Sequence, residues 1–111
     1  MFSLLSKWRA IVELLAPARK VVRIDADAPP QQLPARHLVL LTEGSEEWSI
    51  VMLCPCGCGD RVELPLFAEA RPRWHLRTDA RGRATLHPSI WRKDGCRSHY
   101  FVRAGRVTWV D

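Results

Sequence analysis

Four cysteines and two histidines carry the chemistry most readily read from this chain: Cys54, Cys56 and Cys58 in Cys54-Pro-Cys-Gly-Cys-Gly59, Cys96 and His99 in Gly95-Cys-Arg-Ser-His99, and His87 upstream of them. Zn2+ prefers four ligands in a tetrahedron, drawn from thiolate, imidazole and carboxylate, and structural zinc sites are commonly built from two tight turns that each supply two ligands. Here the first turn holds three thiols, and the second holds a cysteine and a histidine. The three thiols in the first turn stand too close in sequence to pair with one another as disulfides, so only Cys96 could bridge to one of them. In a reducing compartment, clustered thiols point to metal or to catalysis. The cysteines at positions 54, 56 and 58 lack the spacing of common zinc knuckles, so two ligand sets stay open. Three hairpin thiols with Cys96 would seal the ion, whereas one hairpin thiol with His87 and His99 would leave a position for water.

An open site needs a general base for the bound water, and Glu63 is the candidate, on the strand leaving the cysteine hairpin; Asp60 could act from the turn. Ser98 invites a different reading, a nucleophilic hydroxyl with a histidine as base. If the segment from 98 onward is a strand, Ser98 and His99 face opposite sides, and His87 or another histidine would have to serve as base. His75 and His37 read as ordinary strand histidines.

The elements that must position these groups are short. Leu4, Leu5, Trp8, Ile11, Val12 and Leu15 recur at helical spacing with Lys7, Arg9 and Glu13 opposite, which predicts an amphipathic helix over 3–16 ended by Pro17, its apolar stripe packed on the domain's own sheet. Strands are expected at 21–24, 37–41, 48–53, 61–66, 74–77, 84–87, 99–103 and 106–110, with the cysteines at the tip of the hairpin between the third and fourth. The prolines at 29, 30 and 34 interrupt the first connection. The reading is a mainly β (α+β) chain: a small antiparallel sheet or barrel with an N-terminal amphipathic helix (1–19) and a β-rich zinc-binding domain (20–111) carrying the metal-binding hairpin.

A chain of 111 residues forms one thin core, to which a metal clip adds useful stability. The net charge of +5 comes from scattered arginines rather than a basic run, which argues against nucleic acid as the main partner. With no leader pattern and no run of apolar residues long enough to span a bilayer, the expectation is a cytoplasmic chain.

Cys54-Pro-Cys-Gly-Cys-Gly59, Arg71-Pro-Arg-Trp74, Leu86-His-Pro-Ser-Ile-Trp91 and Gly95-Cys-Arg-Ser-His-Tyr-Phe101 together resemble a family of small bacterial proteins over residues 37–110. Those proteins are often encoded beside ubiquitin-like proteins and their activating and conjugating enzymes. They are also similar to a predicted hydrolase group named for a Cys, a Glu and two His, whose positions here would be a hairpin cysteine, Glu63, His87 and His99. The resemblance implies a peptidase that trims a ubiquitin-like protein or releases it from conjugates, a deubiquitinase-like hydrolase. Joined to the residue chemistry, it gives a zinc-dependent peptidase with Glu63 activating the water. The alternatives are a structural zinc module that binds a protein or nucleic acid, and a serine-type peptidase with a structural zinc.

Overall fold

The computed structural model of the chain describes residues 4–110, with side chains from Lys7 onward. One helix, α1 (Leu4–Leu15), precedes eight strands: β1 (Val21–Asp25), β2 (Leu38–Glu43), β3 (Glu46–Leu53), β4 (Arg61–Pro65), β5 (His75–Thr78), β6 (Ala84–Trp91), β7 (His99–Arg103) and β8 (Arg106–Trp109). They form two four-stranded sheets, β1-β2-β3-β4 and β5-β6-β7-β8. The mainly β architecture with a leading helix is the one expected, organised as two stacked sheets.

Alternation along the strands explains the stacking. Leu38, Leu40, Ile50, Met52, Val62 and Leu64 from the first sheet meet Ala84, Leu86, Ile90, Tyr100, Val102 and Val107 from the second in one buried core. All strand pairs are antiparallel except β1 with β2, which run parallel, because the proline-containing segment between them crosses back over the sheet. That segment lays Leu33 on the outer face of the first sheet, over Val39, Leu41, Val51 and Ile24.

The second sheet departs from expectation in β6. The sequence reading ends this strand at His87, yet the strand runs on through Pro88 to Trp91. Its register with β7 shifts between Leu86↔Val102 and Ile90↔Tyr100. His87, Pro88 and Ser89 therefore stand opposite Phe101 alone, and the missing N–H of Pro88 falls inside a bulge, where it disrupts no regular pairing.

Helix α1 is inverted relative to its predicted orientation. Ser3 and the side chains of Leu4 and Leu5 lie outside the described residues; of the rest of the stripe, Trp8, Ile11, Val12 and Leu15 are exposed, while Glu13 is buried. The cause is a polar network. Arg19 Nη1 donates to both Glu13 carboxylate oxygens at 2.8 and 2.7 Å, the Val107 N–H donates to the same carboxylate at 3.1 Å, and Arg36 approaches within 3.6 Å. Arg106 also donates to the carbonyls of Glu13 and Ala16 at the C-terminal end of the helix. A buried carboxylate so fully paired fixes the helix against β8, and removing one partner would strand a charge. At the turn joining β7 and β8, Gly105 (φ +76°) lies so close to the Arg19 backbone that a Cβ would come within 2.6 Å of the Arg19 carbonyl oxygen, which ties the post-helix segment to the second sheet.

Candidate metal centre and active site

The β3–β4 hairpin and the β6–β7 connection meet at one end of the sandwich. Strand alternation carries Cys54 on from Met52 into the core side, where it is 4% exposed; the tip then turns back through Gly57 and Gly59, both at positive φ, and the Cys54 N–H donates to the Asp60 carbonyl at 2.8 Å. Opposite, Gly95 and Arg97 adopt positive φ and present Cys96. The result is a cluster of four thiols, Cys54, Cys56, Cys58 and Cys96, whose sulfurs all lie within 4.8 Å of one another. Cys54 Sγ is 3.4 Å from Cys56 Sγ and 3.6 Å from Cys96 Sγ.

These spacings fit a metal. Sulfurs bound tetrahedrally to zinc at about 2.3 Å stand about 3.8 Å apart. Four thiolates on a divalent ion leave a net negative charge, and Arg92 offsets it: its Nη1 lies 3.7 Å from Cys96 Sγ and 3.8 Å from Cys58 Sγ, and its Nη2 pairs with Asp60 at 3.3 Å. The thiols differ in acidity. The Ser98 hydroxyl, 3.1 Å from Cys96 Sγ, together with the neighbouring thiols holds Cys96 down at about 6, whereas burial pushes Cys54 up to about 12. The first negative charge of the metal-free cluster therefore settles on Cys96.

The histidines and Glu63 do not join this cluster. No histidine atom belongs to the close set of ligand atoms among the described residues. His87 is exposed, opposite His75 on the outer face of the second sheet. Glu63 is exposed and pairs with Val51, and so lies on the outer face of the first sheet, away from the inter-sheet core that Cys54 joins. Strand parity explains both misplacements, since Val62 and Leu64 face inward and Glu63 must face out. Asp60, the other carboxylate considered, is committed to Arg92. Ser98 is buried at 7% exposure, its hydroxyl 3.1 Å from Cys96 Sγ, at the edge of the thiol cluster.

A serine and a histidine do come together elsewhere. Ser89 Oγ lies 3.0 Å from His99 Nε2. In the tautomer with the lone pair on Nε2, the hydroxyl donates to the ring, the arrangement a nucleophile needs of its base. Both residues are half-buried, and Trp91, 58% exposed, stacks on the imidazole with centroids 5.2 Å apart and planes 16° from parallel. Lys93 sits over the Trp91 ring at 4.9 Å. The pair lies on the outer face of the second sheet because Ile90 and Tyr100 face the core, leaving Ser89, Trp91, His99 and Phe101 to face out. Sequence reasoning missed Ser89 by ending β6 at His87. The signal was available in Pro88-Ser-Ile-Trp91, where Ser89 and Trp91 alternate around the apolar Ile90 as in a strand.

The metal site and the serine–histidine pair share one connection. Residues 92–98 join the strand of Ser89 to the strand of His99, and the Arg92 N–H donates to the Ser98 carbonyl at 2.7 Å. Cys96 lies in that connection, so a metal held there fixes both strands. No helix among the described residues is long and apolar enough to cross a membrane. No curated protein and no solved structure matches the chain significantly. A family model does match residues 25–110, from the last residue of β1 onward and without α1, and by that match the chain belongs to the family of bacterial ubiquitination-like system serine proteases (BubE).

Proposed function

We propose that the chain is a serine peptidase acting on a ubiquitin-like protein, either trimming its tail or releasing it from conjugates, with Ser89 as nucleophile and His99 as base. The 3.0 Å contact between Ser89 Oγ and His99 Nε2 carries this reading. In the first step the Ser89 oxygen bonds to the scissile carbonyl carbon while its proton passes to His99. The C–N bond then breaks, and His99 returns the proton to the leaving amine. Water then attacks the acyl-serine ester while its proton passes to His99, the ester C–O bond breaks, and His99 returns the proton to the Ser89 oxygen. The described contacts give His99 no carboxylate partner, and the flat stack of Trp91 on the ring restricts its rotation instead.

In this reading Cys54, Cys56, Cys58 and Cys96 hold a structural Zn2+, which supplies a cross-link between the β3–β4 hairpin and the β6–β7 connection. Four thiolates close the coordination shell to water. The metal would thus position the serine–histidine pair without taking part in bond breaking, and the net charge of +5 would draw in acidic partner surfaces.

The test incubates the protein with a ubiquitin-like precursor and compares Ser89→Ala, Ser98→Ala and Glu63→Gln. The expected result is loss of cleavage in Ser89→Ala, full activity in Glu63→Gln, and reduced activity in Ser98→Ala that tracks metal content. Undiminished cleavage by Ser89→Ala would overturn the proposal.

A further inference from the structure

Strand β6 is paired with β5 only as far as His87, and beyond it, at Ser89–Trp91, its edge meets no strand among the described residues. The Arg92 N–H donates to the Ser98 carbonyl, and the Val110 N–H donates to the His99 carbonyl. In an antiparallel ladder these two bonds make Trp91 and His99 a non-hydrogen-bonded pair, so the backbone N–H and C=O of Trp91 point away from β7, toward the side that β5 occupies further along the strand. Yet β5 ends at His75, opposite His87. Upstream of it, the Trp74 N–H donates to the Pro65 carbonyl, which takes the chain toward β4, and none of the loop hydrogen bonds among the described residues reaches Trp91. Pro88 and Lys93 flank this open segment, the residue types that keep exposed edges from pairing at random.

Ser89 stands at the same place. Its hydroxyl meets His99 on the β7 side, which leaves the opposite side of the oxygen facing the open edge. A strand laid beside β6 would run about 4.8 Å away, with its backbone beside the nucleophile and the base behind it.

We propose that the substrate is an extended peptide segment that adds as a strand to the edge of β6 at Ser89–Trp91, anchored on the backbone N–H and C=O of Trp91. The proposal rests on the serine reading above and adds to it how substrate is held: by main-chain hydrogen bonds rather than a deep side-chain pocket. An unfolded protein tail satisfies that requirement, whereas a compact folded surface does not.

Alanine-based peptidyl phosphonates, which form a covalent bond to an active serine, test this with the full-length zinc-loaded protein. A small fluorophosphonate reports first whether Ser89 is reactive; no labelling at Ser89 overturns both the serine reading and this inference. Given labelling, a four-residue phosphonate should react about tenfold faster than a one-residue phosphonate, about what two backbone hydrogen bonds contribute. N-methylating the amide that pairs with Trp91 should abolish the gain. Trp91→Pro, which removes only the outward N–H from the ladder, should lose the length dependence, and Trp91→Val should keep it, whatever its basal rate. Equal rates for both phosphonates, an unaffected N-methylated probe, or identical length dependence in the two variants would overturn the edge-binding inference while leaving the serine reading intact. If Trp91→Pro fails to fold, the N-methylated probe decides.

Discussion

The thiol cluster and the Ser89–His99 pair lie on either side of one connection between β6 and β7, yet they are built in opposite ways. The cluster draws three of its four members from one hairpin tip, is contacted by Arg92 and Ser98, and runs from Cys54, buried in the core, to Cys58, exposed at the tip. The pair joins residues from two strands on an open sheet face and owes its alignment to a bulge. One site is closed by local turns and suits an ion, whereas the other is open and suits a polymer. On the reading proposed above, the contrast is one of role: the conspicuous cysteines would hold the scaffold, and the less conspicuous Ser89–His99 pair would do the chemistry.

The comparison breaks first at the metal. Replacing Cys54 or Cys96 with Ser should release the ion and destabilise the fold by several kcal/mol, in keeping with the large share of folding free energy that structural zinc sites supply. Metal analysis and thermal unfolding would show both losses together. Cleavage should fall in the same variants because the β6–β7 connection loosens, and a variant that lost its metal while keeping full stability would refute the structural role.

A second break comes from pH in the metal-free protein. Cys96 is held at about 6, below its ordinary value of 9.0, so it favours the folded state most above pH 9, and that contribution declines as the pH falls toward 6. Cys54, pushed up to about 12, acts in the opposite sense above pH 9. The contribution of these two thiols to metal-free stability should therefore be greatest near pH 9 and decline on either side. Unfolding midpoints in chelator would trace this, and Cys96→Ser should flatten the acid limb.

Smaller effects sharpen the contrast. Trp91→Ala should lower turnover several-fold by freeing the His99 ring, with Trp91→Phe restoring it; aromatic pairing is worth about 0.5–1.5 kcal/mol. Glu63→Gln should leave cleavage unchanged and move stability by less than about 0.5 kcal/mol, as expected for an exposed strand residue without partners. A large loss of cleavage in Glu63→Gln would restore the carboxylate to the mechanism.

Much of this was legible in the sequence. The strands follow the alternation of apolar residues closely, and the cysteines announced themselves by type. What spacing could not choose was the ligand set, because positions 54, 56 and 58 are separated by Pro55 and Gly57, and only the folded turn brings all three sulfurs toward Cys96. Two errors came from trusting local rules that tertiary structure overrode. The strand expected at 84–87 stops short, whereas a bulge accommodates Pro88 and carries β6 on to Ser89 and Trp91. The apolar stripe of α1 reads as a core face, yet Glu13 turns inward because Arg19, Arg36 and the Val107 N–H wait for it there. Neither partner set is adjacent in sequence to what it redirects.

The most direct test of the account is to measure cleavage of the ubiquitin-like precursor and zinc content on the same preparations of the unaltered protein and Ser89→Ala. The account predicts one zinc per chain in both and a loss of cleavage of about a thousandfold or more in the variant, the scale set by removing a serine nucleophile. Cleavage that survives in Ser89→Ala and disappears only when the metal is removed would contradict it.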